Sequence, residues 1–215
     1  MSFMGEYMNP GEIEKRSFEI IRSELPHPLD PVLAPIILRV IHTTADFEYV
    51  ESLAFSEGVI GQATAALRRG VPVVSDTHMA KAGIDETRLR ALGSEMHCFM
   101  NDADVAEAAS ISGGTRAHAA MDKAAAMGKP LVFAVGNAPT ALLRICQLKE
   151  TGQCFPELVI GVPVGFVNVV ESKETLMRSG IPYITARGRK GGSNVAAAIC
   201  NALLRIAASG ENDNV

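Results

Sequence analysis

The chain has 215 residues, 47% of them hydrophobic, and carries 20 Lys and Arg against 24 Asp and Glu, a formal net charge of −4. That composition supports a sizeable core and excludes bulk disorder. The acidic balance counts against nucleic acid as a main partner, because gripping a phosphate backbone needs a cationic face. No apolar run approaches the roughly 18 residues of a membrane helix, so no membrane partner is expected.

Residues 1–7 lack the basic-then-apolar order of a signal peptide, and none is expected there. A first helix is predicted over 11–23, where Ile13, Phe18, Ile20 and Ile21 alternate with charges. The apolar, β-branched run 37–42 predicts a strand ending at His42, followed by Thr43, Thr44 and Asp46. A helix over 59–69 leads to a strand over 71–75, and Asp76, Thr77, His78 and Met79 form the turn after it. A helix over 86–92, a short strand over 96–99 and helices over 104–110 and 116–127 follow, with Thr115 as the cap of the last and Arg116 as its first residue. A buried strand over 131–135 runs into Gly136, Asn137, Ala138, Pro139 and Thr140, which open a helix to 151. That junction has neither GxGxxG nor GxxxxGK[ST], the glycine patterns that cradle nucleotide phosphates. A strand over 158–162 precedes an apolar glycine-containing turn and a helix over 173–179, and a strand over 183–185 leads to the run Arg187-Gly-Arg-Lys-Gly-Gly-Ser193. The final helix spans 195–208, and the polar tail after it is expected to fray.

Strands alternating with helices, several of them apolar on both faces, predict a three-layer α/β/α fold. The sheet is expected to be mostly parallel, of five or six strands and Rossmann-like, in one domain over 1–215. Ligands of such sheets bind beyond the carboxyl ends of the strands, where strand order reverses. Six post-strand loops would meet on that rim. Three cations among three glycines before a helix form an anion site, because glycine admits close approach and a helix start offers unpaired N–H groups. The alternative is a solvated connecting loop. A histidine at the place of His42 can act as a general acid or base, and the alternative is a strand-end histidine held by a backbone carbonyl. Arg116 opens a helix where a cation is unfavourable to the dipole, and binding a carboxylate supplies a reason. None of the five histidines is spaced for a protein-built metal site, so no metal is expected. Cys98, Cys146, Cys154 and Cys200 lack metal or redox spacing and read as reduced thiols of a cytoplasmic protein.

Seven segments together resemble the precorrin-8X methylmutase family, also called cobalt-precorrin-8 methylmutase, over about residues 10–204. They are IEKRSF (13–18), RVIHTTAD (39–46), SDTHM (75–79), AVGNAPTAL (134–142), VIGVPVGFV (159–167), ESKE (171–174) and GRKGGS (188–193). The resemblance implies an isomerase that moves a methyl group from C-11 to C-12 of a tetrapyrrole ring, giving hydrogenobyrinate or its cobalt counterpart, cobyrinate. It implies no cofactor, any cobalt belonging to the substrate, and a homodimer holding substrate near its subunit interface. His42, the histidine of the third-to-last position before Ala45, is the implied proton donor. Many-carboxylate substrate would be bound by Arg116, Lys173, Arg187 and Lys190, with Ser17, Thr43, Thr44, Asn137, Thr140 and Ser193 as uncharged donors and Asp76 and Met79 at the rim. Two positions depart from the family's pattern: Ala117 stands where serine is usual, and His78 where asparagine is usual. A non-catalytic corrinoid carrier or sensor is the alternative function, and a nucleotide-dependent enzyme on a doubly wound sheet is a third reading.

Overall fold

The computed structural model of the chain describes residues 9–209, so the readings made for 1–7 and for the polar tail beyond Ser209 lie outside the described residues. In order the elements are α1 (Pro10–Ser23), α2 (Ala34–Thr44), α3 (Tyr49–Ser52), β1 (Leu53–Phe55), α4 (Val59–Arg68), β2 (Val73–Ser75), α5 (His78–Gly83) and α6 (Glu86–Ala91). They continue with β3 (Met96–His97), α7 (Ala103–Ser112), α8 (Arg116–Ala125), β4 (Pro130–Val135) and α9 (Pro139–Glu150). The last four are β5 (Phe155–Gly161), α10 (Val169–Arg178), β6 (Tyr183–Ala186) and α11 (Ser193–Ala208).

The strands form one six-stranded sheet in the order β1-β6-β5-β4-β2-β3, and every neighbouring pair is parallel except β1 with β6. The predicted α/β fold with a mostly parallel sheet is therefore the observed one. Alternate residues of β4 feed two separate cores. Val132 and Ala134 join Ile36, Ile41, Ile199 and Leu203 of α2 and α11, whereas Leu131, Phe133 and Val135 join Met121, Leu142 and Leu176 on the other side. A strand buried on both faces reads as a continuous apolar run, which is why β4 was legible from sequence.

The segment 37–42 is a correction: it is part of a helix, and the first strand is Leu53–Phe55 instead. Pro35, Arg39, His42 and Thr43 form the outward stripe of α2, at helical spacing, while Ala34, Ile36, Ile37, Leu38, Val40 and Ile41 are buried. A helix covered on most of its circumference, here by α11 and α1, shows a continuous apolar run that periodicity cannot separate from a buried strand. The three-residue edge strand β1 is too short to give a pattern, and it is fixed by pairing Leu53, Ala54 and Phe55 with Ala186, Thr185 and Ile184. The turn at 78–79 is likewise a short helix, α5, whose cap Thr77 accepts the Ala80 N–H at 3.0 Å.

Candidate active site

Among the parallel strands the order reverses once, between β2 and β4, and a crevice for an anionic ligand is expected there. The protein fills that crevice itself. Asp76, 1% exposed, accepts hydrogen bonds from the N–H groups of Gly136 at 2.9 Å, Asn137 at 2.8 Å and Ala138 at 2.7 Å. These N–H groups open α9, where a phosphate would sit in a nucleotide enzyme. Burial pushes the Asp76 carboxyl above its ordinary value, and the three N–H donors pull against that shift. From the other side, a Cβ on Gly136 would lie 2.6 Å from the Ser193 Cα and 2.7 Å from the Gly192 carbonyl oxygen, so the start of α11 abuts the end of β4. Asp76, expected to face ligand, is instead turned inward as a hydrogen-bond acceptor, and the nucleotide reading has no seat at this crevice.

The 187–193 loop is held from beneath. Lys173 of α10 is 1% exposed, and its Nζ donates to the carbonyl oxygens of Gly188 at 3.0 Å and Lys190 at 2.7 Å. Burial lowers its pKa to about 8. Lys173 therefore shapes the loop from inside and does not project as a surface cation. A Cβ on Gly191 would lie 2.1 Å from the Val162 carbonyl oxygen, so only glycine lets the loop cross the end of β5. The Lys190 ammonium is 2.6 Å from Asp46 and 2.8 Å from Glu48, which ties the loop to the segment following α2. The Ser193 hydroxyl is mostly buried and meets the Thr77 hydroxyl at 2.8 Å. Arg187 is exposed, 3.8 Å from Glu174, and the Arg189 guanidinium lies 5.4 Å from the centroid of Phe166, a ring that is 83% exposed.

His42 lies in the last turn of α2, exposed to solvent, rather than at a strand end. The Lys190–Asp46 pair nevertheless brings it beside the loop on the same rim. It opens, with Thr43, onto a groove of about 310 Å³ walled by Arg39, Asn194, Asn201 and Arg205. Its ring stacks on Phe18 of α1, centroids 5.1 Å apart and planes at 26°. Arg39 lies over the same Phe18 ring, 4.7 Å from its centroid, and pairs with Glu14. Arg205 approaches that carboxylate at 3.6 Å. The hydrogen bond from Arg39 holds the Glu14 carboxyl below the usual carboxylate range. The Ser17 hydroxyl donates back to Ile13 and that of Thr44 to Val40, each at 2.8 Å, so both donors are spent within their own helices.

Arg116, Asn137 and Thr140 form a second group, on the α8–α9 side of the sheet and away from the His42 groove. Thr115 caps α8 by accepting the His118 N–H at 3.1 Å, and its hydroxyl meets that of Thr140 at 2.9 Å. Arg116 and Asn137 are exposed, and among the described residues Arg116 has no ion pair. Met79, 73% exposed, projects from α5. The six loops thus share a rim but line no single cleft within one chain. A groove of about 500 Å³ beside Phe155, Pro156 and Arg69 lies at the amino ends of the strands and holds none of these groups. No group of three or more His, Cys, Asp or Glu side chains among the described residues is placed to hold a metal ion.

Phe18, Arg39 and Arg205 were missed as site residues. The first two lie within the segments that carry the resemblance, and the three-residue spacing of Arg39 and His42 puts them on one face only once 37–42 is read as a helix.

Comparison with known proteins identifies the family. A model of the precorrin-8X methylmutase family matches residues 12–206. The chain is 43% identical to a protein of Priestia megaterium named cobalt-precorrin-8 methylmutase, covering 98% of this chain and 96% of that one. It is 46% identical to a protein of the same name from Salmonella typhimurium, covering 91% and 94%. A crystal structure of precorrin-8x methyl mutase from Thermus thermophilus superposes with a TM-score of 0.85 at 39% identity, covering 92% of this chain and 98% of that one. The chain belongs to the precorrin-8X methylmutase family.

Proposed function

We propose that this protein moves a methyl group from C-11 to C-12 of a precorrin-8-type ring, with His42 as the proton donor. Family membership makes the chain a methylmutase, an isomerase of cobalamin biosynthesis. The observation that carries the proton assignment is the placement of His42: exposed, at the mouth of a groove, with arginines and asparagines around it. A proton given to the macrocycle weakens the bond between C-11 and its methyl group. That bond breaks as the bond to C-12 forms, and the proton is then released. Substrate and product are isomers, so the step balances without an oxidant or reductant, and any cobalt is carried by the substrate. General acid assistance of this kind contributes about 10²–10⁴-fold.

Carboxylate arms of the ring meet Arg39 and Arg205 in the groove and Arg187 and Arg189 on the loop. Exposed ion pairs each contribute only about 0–1 kcal/mol, so affinity comes from several together. The groove, about 310 Å³, is at the small end of ligand sites, which run to roughly 1,000 Å³. A many-armed macrocycle extends beyond it, onto exposed apolar side chains such as Met79, Val164 and Phe166. This supports a homodimer in which a second subunit closes the site and brings its own Arg116 group toward the ring. Four free thiols support a reducing, cytoplasmic setting.

The experiment is to add excess precorrin-8X, or its cobalt form, to wild-type protein and follow the absorbance of the ring. Change that continues well past one equivalent is expected. Change that stops at stoichiometry would make the protein a corrinoid carrier.

A further inference from the structure

An imidazole that transfers a proton must hold its ring at a fixed angle. It ordinarily does so through a hydrogen bond at the ring nitrogen away from the reaction. Among the described residues neither nitrogen of His42 has such a partner, and its neighbour is an aromatic face. The Phe18 ring stacks on the imidazole at 5.1 Å, and Phe18 is itself fixed. The Arg39 guanidinium lies over that ring at 4.7 Å and is anchored by Glu14. Two sequence spacings build this stack. Glu14 and Phe18 are four residues apart on α1, and Arg39 and His42 are three apart on α2, so each pair shares a helix face.

We propose that Phe18 is the positioning residue of the reaction: its ring, clamped by the Arg39–Glu14 pair, sets the angle of the His42 imidazole and leaves both ring nitrogens available for proton exchange. One nitrogen faces the macrocycle, and the other exchanges with solvent or with a carboxylate arm of the substrate. The proton that His42 gives is restored without any change of oxidation state. The proposal rests on the reading of His42 as the donor. It differs from a packing role because the apolar contact between α1 and α2 needs bulk at residue 18, whereas orientation needs a flat ring.

The test compares Phe18→Leu, Phe18→Tyr and His42→Ala in the full chain. Misplacing a catalytic group by about an ångström costs about 100-fold, so Phe18→Leu should lower kcat by about 10- to 100-fold while KM stays within about threefold. Phe18→Tyr, which keeps the ring, should recover most of the rate. The imidazole protons of His42 should lose their ring-current shift in NMR spectra of Phe18→Leu and keep it in Phe18→Tyr. If Phe18→Leu does not fold, Phe18→Met fills the space without a ring and repeats the comparison. Wild-type kcat in Phe18→Leu beside an inactive His42→Ala would overturn the positioning role and leave the donor standing. Loss in Phe18→Leu that Phe18→Tyr fails to recover would reduce Phe18 to packing. Wild-type turnover by His42→Ala would remove the donor and the positioning role together.

Discussion

A carboxyl group that accepts three backbone N–H groups in a nearly closed site acts as a built-in cap for them. Asp76 has this position between β2 and β4, and it fixes the loop from which Asn137 and Thr140 project. Replacing it with alanine strands three donors, each costing about 1–3 kcal/mol when buried and unpaired. Asp76→Ala should therefore lose at least about 3 kcal/mol of stability in urea unfolding, and a loss under about 1 kcal/mol would contradict the assignment. The sequence showed that Asp76 stands at a post-strand turn. It could not show that the carboxylate turns inward, because that depends on the parallel pairing of β2 with β4, which brings Asp76 beside Gly136 across sixty residues of chain. His42, Thr43 and the 187–193 loop were legible as rim residues because each lies in a short polar or glycine-rich segment next to a long apolar one. The inward turn of Lys173 was not legible, since a lysine opening a helix reads as a solvated cation until the carbonyls above it are in place.

Elements carry these groups to one another, and the most consequential is α2. As a strand, 37–42 would alternate Arg39 and His42 with no shared face of defined depth. As a helix it sets both beside Phe18 and hands Asp46 to Lys190. The loop before α11 is a second case. Gly191 approaches the Val162 carbonyl so closely that Gly191→Ala should displace the loop and cost about 1–3 kcal/mol or more in unfolding measurements; unchanged stability would mean that the crossing has room to spare. Lys173 beneath the same loop makes the fold respond to pH. Its folded pKa, about 8, lies below the ordinary lysine value of about 10.4. Between those values the unfolded chain holds the proton that the folded chain releases, so the contribution of Lys173 to stability rises with pH across that window and is lost as pH falls through about 8. Wild type should therefore gain on Lys173→Met in thermal unfolding as pH is raised from about 7.5 to about 10. Two curves that stay parallel would show that the ammonium is freely solvated.

At the scale of the molecule, one sheet separates two cores and places the His42 groove and the Arg116 group in different layers of the same rim. The overall α/β order was legible because β4, β5 and α11 have long, unambiguous patterns. The antiparallel edge strand was not, because three residues carry too little pattern and its pairing with β6 depends on chain far away in sequence. The proposed sharing of a macrocycle between two subunits is tested by mass. Sedimentation at micromolar protein should give twice the chain mass, and a monomer that turns over at full rate would contradict the shared site. Exposed arginines on the loop should act through charge, so Arg187→Ala should weaken pigment binding, and more strongly at low salt than at high. The proposed methyl shift depends most on a single proton transfer. Its most direct test is to mix His42→Ala with the precorrin-8-type substrate, with and without cobalt, and record both binding and conversion by absorbance. Binding close to wild type with conversion slowed by about 10²–10⁴-fold is the predicted result. Conversion within about threefold of wild type would contradict it, because the ring would then be receiving its proton from another group.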